Sequence, residues 1–166
     1  MVNIFRRQDM SFRLKNSPIT EFSWHTSPNL AELSQSKHLH FEIRRLDPGK
    51  YSYPYHFHRN SEELFIIMSG NVTLRTPEGI QELFSGDIVF FEMGPSGAHQ
   101  LFNHTETVCE YIDIRTEAGI DVCEYPDSGK VNILPERNIF DMKDQVDYFK
   151  GEENIEEVWA SVWKKK

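Results

Sequence analysis

Short apolar runs separated by turn residues dominate the middle of the chain. Leu39 to Leu46 is a mixed run closed by Asp47-Pro48-Gly49, a turn signal. Leu64 to Met68 is apolar at every position, which predicts a short strand buried on both faces. Ser69-Gly70-Asn71 turns, Val72 to Arg75 resumes the strand, Pro77-Glu78-Gly79 turns again, and Ile80 to Phe84 follows. Beyond Ser85-Gly86-Asp87 come Ile88 to Phe91, Ala98 to Asn103 and Val108 to Arg115. Many short strands at close spacing predict a sandwich or barrel, not a parallel sheet. Near the C-terminus the period changes. Ile155, Val158, Trp159 and Val162 fall at i, i+3, i+4 and i+7, with charged residues between them. That spacing predicts one amphipathic helix packed on the barrel.

The 166 residues suit one domain with short extensions. Residues 1–38 are polar with scattered aromatics and read as an extension that packs on the barrel or on a partner. Residues 39–134 hold the barrel, and residues 135–166 form a C-terminal segment with the helix. Apolar residues make up 39% and charged residues 27%, which argues against wholesale disorder. A formal charge of -8 repels phosphate backbones, and the only basic run is Lys164 to Lys166, so nucleic acid is not an expected partner. No apolar run approaches the roughly 20 residues needed to span a bilayer, so no membrane partner is expected. Arg6 and Arg7 are followed by Arg13, Lys15 and Asn16 where a secretory signal would be apolar. The two cysteines, Cys109 and Cys123, do not make a disulfide framework and read as reduced thiols. The expected location is the cytoplasm.

Three of the seven histidines stand in a specific arrangement with one glutamate. His56 and His58 are two apart, so on a strand they share a face, roughly 6.6 Å apart along it. Glu63, Phe65 and Ile67 share one face of the next strand, and His99, Leu101 and Asn103 share one face of a later one. Two imidazoles, a carboxylate and a third imidazole can thus converge on one point. Neutral imidazole and carboxylate are ligands for zinc, iron, nickel, copper or manganese.

The frame around these residues runs Gly49, six residues, His56, one, His58, four, Glu63, six, Gly70. Later come Gly86, Pro95, Gly97, His99 and Asn103. This resembles the two signature motifs of the cupin superfamily. The first motif departs by one extra residue between Gly49 and His56. In the second, Glu92 stands where proline is the simplest expectation, and Gly86 to His99 is two residues longer, which reads as a small loop insertion. The resemblance implies an all-β fold, the cupin double-stranded β-helix or jelly-roll barrel, here with an N-terminal extension and a short C-terminal helix. It also implies His56, His58, Glu63 and His99 as ligands of one divalent transition metal inside the barrel. Glu62 is the rival to Glu63, but strand alternation puts it on the opposite face. Tyr125-Pro126-Asp127-Ser128-Gly129-Lys130-Val131, with Tyr53 to His58 and Glu62 to Phe65, is similar to a group of single-domain bacterial cupins with no assigned reaction.

The remaining candidates read more plainly. His25, His38, His40 and His104 lie outside the motifs and are not expected ligands. Tyr51, Tyr53 and Tyr55 would face away from His56 and His58 on a continuous strand, towards the N-terminal segment or a second subunit. Asn103 reads as a turn or strand-end residue. The general acid or base is left open among Glu110, Tyr111 and Asp113, because strand facing decides it. The functional expectation is a metal-binding cupin, as an enzyme on a small polar molecule such as a sugar derivative or small organic acid. The alternative is a non-catalytic small-ligand binder or a structural cupin. By family likeness the chain is expected to form a homodimer.

Overall fold

The computed structural model describes residues 2–117 and 119–163; the basic run Lys164 to Lys166 lies outside them. Thirteen strands, β1 (Arg13–Asn16), β2 (Ser23–Thr26), β3 (Leu39–Leu46), β4 (Phe57–His58), β5 (Glu63–Ser69), β6 (Val72–Thr76), β7 (Gly79–Leu83), β8 (Ile88–Phe91), β9 (Gln100–Phe102), β10 (Cys109–Thr116), β11 (Asp121–Tyr125), β12 (Lys130–Leu134) and β13 (Asn138–Asp141), pair antiparallel. One wall has the order β1-β2-β3-β10-β5-β8. The opposite wall is built from β13-β12-β11-β4 and β7-β6-β9. Bridges between Tyr51 and Phe102 and between His56 and His99 join these two pieces.

Register decides what the inside of the barrel contains. Arg115 of β10 lies between Glu63 of β5 and His40 of β3. The next inward row is Phe65, Asp113 and Glu42, and the one after it is Ile67, Tyr111 and Arg44. Cross-strand partners share a face, so each row crosses the inner surface. Polar rows occupy one end of the barrel. At the other end Leu46, Ile67, Val72, Leu74, Leu101 and Cys109 form the apolar core. Each fully buried leucine contributes about 1.5–3 kcal/mol through removal of its surface from water. The long run Val108 to Arg115 therefore became the central strand, because its alternate residues meet the core while both backbone edges are paired.

Two expectations need correction. Leu64 to Met68 is not buried on both faces: Phe65 and Ile67 are buried, but Leu64 and Ile66 are half-buried and Met68 is exposed. Among the described residues nothing buries the outer side of β5 completely. A short helix, α1 (Leu30–Leu33), lies between β2 and β3, and the C-terminal helix forms as α2 (Ile155–Trp163) but does not pack on the barrel. Its apolar positions Ile155, Val158, Trp159 and Val162 are all exposed. Strands β11 to β13 carry mixed polar and apolar residues, and their sequence shows no clean alternation. Both cysteines are free and buried. Among the described residues no helix is long and apolar enough to cross a membrane.

Candidate metal centre

Three local devices place the four motif side chains. His56 and His99 are opposed across an antiparallel bridge and exchange backbone hydrogen bonds, His56 N–H to His99 O at 3.2 Å and His99 N–H to His56 O at 2.9 Å. Their rings lie 4.7 Å apart. His58 begins the sheet with β11, paired with Cys123. Glu63 opens β5, in register with Phe91 and Arg115. The geometry brings His56, Glu63 and His99 together, with one ligand atom of each within 4.8 Å of the others. His58 Nε2 is 3.7 Å from Glu63 Oε2. All four residues are buried.

The second nitrogen of every imidazole is already engaged. His56 Nδ1 is 2.9 Å from Pro54 O, His99 Nδ1 is 2.9 Å from Gly97 O, and His58 Nδ1 is 2.5 Å from Asp121 Oδ2. Carbonyl and carboxylate oxygens only accept, so each Nδ1 carries a proton, and the tautomer this selects for a neutral ring has its lone pair on Nε2. This is the arrangement that orients metal-bound histidines. Burial pushes the His56 imidazole down to about 3, reinforced by His99 and His58. Burial opposes charge on Glu63 as well, but the imidazoles of His99, His58 and His56 hold its carboxyl well below the usual range. His56 is thus a neutral imidazole beside an ionised Glu63 carboxylate, the states a divalent ion requires of its ligands.

The orphaned atoms test the fit. His99 Nε2 and Glu63 Oε2 lie 3.1 Å apart, yet they make no aligned hydrogen bond and neither has another partner. Buried polar atoms left this way are costly, about 1–3 kcal/mol each. Two ligands about 2.1 Å from one ion and at right angles stand about 3.0 Å apart. The separation fits neighbouring ligands of an ion, and the residues present fit a divalent metal. The floor beneath them is apolar: Phe91 stacks on His99 at 3.7 Å and Phe65 meets it edge-on at 5.3 Å.

Strand facing separates the three acid–base candidates. Glu110 points outward and binds Arg7 and Arg45, at 2.6 and 2.7 Å. Tyr111 and Asp113 point inward, fully buried, and Asp113 Oδ2 is 2.7 Å from Arg44 Nη1. Burial drives the Asp113 carboxyl well above its usual range despite Arg44, and the charge on Glu63 adds to the rise. Asn103 is a turn staple, donating from Nδ2 to Leu46 O and Thr107 O while Oδ1 accepts from Thr105.

The cavity in front of the cluster has a volume of about 470 Å³. Its wall holds residues that the motifs do not mark. Tyr53 does not face away. Residues 53–56 are not a continuous strand, and Tyr53 turns into the cavity between Trp24, 4.4 Å away, and the Arg44 guanidinium, also at 4.4 Å. Tyr51 instead stacks on Phe102, and Tyr55 lies under Arg75. His40 also lines the cavity. Burial first, then the nearby Arg115 charge, lowers its basicity, so it is neutral at pH 7. Cys123 adds a thiol, and its sulfur shares a second close group with His56 and His58. Asp121, Cys123 and Tyr125 stand at every second position of β11, and pairing with β4 brings Cys123 level with His58.

Residues 42–115 match the family described as Cupin domain. Three crystal structures share the fold. A protein provisionally named sugar phosphate isomerase from Acidithiobacillus ferrooxidans superposes with a TM-score of 0.77 at 23% identity, covering 87% of this chain and 95% of its own. A sugar phosphate isomerase of the cupin superfamily from Silicibacter pomeroyi gives 0.76 at 16% identity, covering 88% and 98%. A provisionally named oxalate decarboxylase from Thermotoga maritima gives 0.59 at 17% identity, covering 70% and 100%. No curated protein matches the sequence. The fold is a cupin β-barrel, and the domain match together with these neighbours supports the cupin superfamily.

Proposed function

We propose that this protein is a metal-dependent cupin enzyme that isomerises a small sugar phosphate, with His56, His58, Glu63 and His99 as the ligands of one divalent transition metal. The observation that carries this reading is the unpartnered, buried pair His99 Nε2 and Glu63 Oε2, with Glu63 on the wall of the cavity. The sugar phosphate class is taken from the two structural neighbours that bear that name.

When bound, the ion would supply Lewis-acid polarisation of a substrate carbonyl. The chain supplies the rest. Neutral His40 offers a lone pair on the cavity wall and can accept a proton. Burial raises the Tyr53 phenol, which therefore keeps its proton and donates. Arg44 is held by Glu42 at 2.8 Å and by Asp113, so it fixes the back wall and does not swing into the cavity.

Elemental analysis of protein prepared without a histidine tag tests the metal, alongside His56→Ala and Glu63→Ala. Near-stoichiometric metal lost in both variants is expected, followed by aldose–ketose interconversion of sugar phosphates detected by proton NMR. Metal that is absent and not regained on soaking would overturn the metalloenzyme reading. Metal without turnover would favour a small-ligand binder or a metal-stapled structural barrel.

A further inference from the structure

Although the chain carries a net charge of -8, the cavity in front of the cluster is lined by Lys15, Arg44, Arg115 and Arg137. A second cavity of about 480 Å³ adjoins the first and shares His40, Arg115, Leu134 and Arg137 with it. Lys37 lines the second cavity and Lys15 the first. Among the described residues, Lys15, Lys37 and Arg137 have no carboxylate within ion-pair distance. The acids nearby are already committed. Glu42 serves Arg44 and Thr26, and Asp121 serves His58 and the Asn60 amide. Glu117 alone approaches, 3.9 Å from Arg115 Nη2, at the limit of an ion pair. Among the described residues, buried Arg115 Nε has no hydrogen-bond partner.

The placement of Arg115 follows from register. It stands directly across from Glu63, so it projects from the neighbouring strand, about 4.8 Å away, on the same inner face as the metal ligands. Arg137 comes from the turn between β12 and β13 with φ 60°, in the left-handed region, and its amide is tied to Ile133 O at 2.7 Å. Arg115 and Arg137 line both cavities and come from different sheets of the barrel. Guanidinium is the side chain suited to binding phosphate through paired N–H donors.

We propose that the junction of the two cavities is a phosphate subsite in which Arg115 and Arg137, with Lys37 beside them, hold the substrate's phosphoryl group apart from the metal ligands. This rests on the sugar phosphate reading of the same site and assigns the anchoring residues. The phosphoryl end would sit at the mouth, and the reacting carbons would extend inward towards His56, Glu63 and His99.

Isothermal titration of metal-loaded protein with inorganic phosphate tests the assignment. Arg137→Asn keeps a residue that tolerates the left-handed backbone, and Arg115→Gln probes the second wall. Each variant is expected to weaken phosphate by about tenfold or more, with metal content unchanged. Glu63→Ala, which should lose the metal, is expected to keep phosphate binding within about threefold of wild type. The proposal is overturned if wild type does not bind phosphate, if both arginine variants bind it as wild type does, or if Glu63→Ala abolishes binding. In that last case the ion, not the arginines, holds the anion. Phosphate binding that follows the prediction without any sugar phosphate isomerisation would sink the isomerase reading alone. Isomerisation that is indifferent to Arg137→Asn and Arg115→Gln would sink the subsite alone.

Discussion

Replacing Asp121 by asparagine changes charge and proton count but hardly changes shape. Asp121 Oδ2 accepts from His58 Nδ1 at 2.5 Å, and Oδ1 accepts from the Asn60 amide at 2.8 Å. Burial opposes the carboxylate, but the bond from His58 holds its carboxyl below the usual range, so it is ionised at pH 7. Asparagine offers one acceptor and one donor group to two N–H donors. If its oxygen serves Asn60, its NH₂ meets His58 Nδ1 and favours the tautomer with the proton on Nε2, which cannot bind a metal. If its oxygen serves His58, a charged acceptor has become a neutral one and Asn60 loses its partner. A charge-assisted hydrogen bond is worth about 1.5–3 kcal/mol against about 1 for a neutral one. The loss is then about 1–2 kcal/mol, and about 1.4 kcal/mol corresponds to tenfold in affinity. Zinc affinity measured by competition with a chromophoric chelator should fall about 5- to 30-fold in Asp121→Asn, with the circular dichroism spectrum unchanged. Affinity within twofold of wild type would refute the claim that Asp121 sets the His58 tautomer for a metal.

Three further outcomes are expected. In chelator-treated protein His56 stays neutral when folded, at about 3 against 6.5 unfolded, so its contribution is present above pH 6.5 and is lost as pH falls towards 3. Between pH 6.5 and 4.5 that amounts to about 2–3 kcal/mol, and urea denaturation showing equal stability at the two pH values would contradict it. Gly97→Ala should cost about 3 kcal/mol and weaken metal binding, because a Cβ there would sit 1.9 Å from Glu92 O and push away the loop whose Gly97 O orients His99; an unchanged thermal midpoint would argue against it. The exposed faces of Trp159 and Val162 on α2 suggest contact with a second copy, so the full chain should run as a dimer in light scattering and a chain ending at Asp144 as a monomer. A monomeric full chain would remove the homodimer expectation.

The strands of the middle zone were legible because turn residues and apolar alternation are local signals. Leu39 to Leu46 is a strand with those same bounds, and Ile88 to Phe91 likewise. The spacing His56, His58, Glu63 was equally legible, since a period of two places both histidines on one face before any tertiary contact exists. The meaning of Gly97 was less so: its glycine is demanded by the Glu92 carbonyl, a contact within the inserted loop. What the amino-acid order determined was a set of strands, the side chains offered on each and a resemblance that marked four candidate ligands. Only the assembled barrel decided which strand faces look inward. Register across β5, β10 and β3 brought Arg115 and His40 into line with Glu63, and β11 against β4 set Asp121 on His58. It also placed Glu110 outside with Arg7 and Arg45 while Asp113, three residues on, went inside; the shift in register between Glu110 and Tyr111 lies between them. These pairings join residues far apart in the chain, and their free energy comes from backbone hydrogen bonding and burial that exist only once both walls have formed.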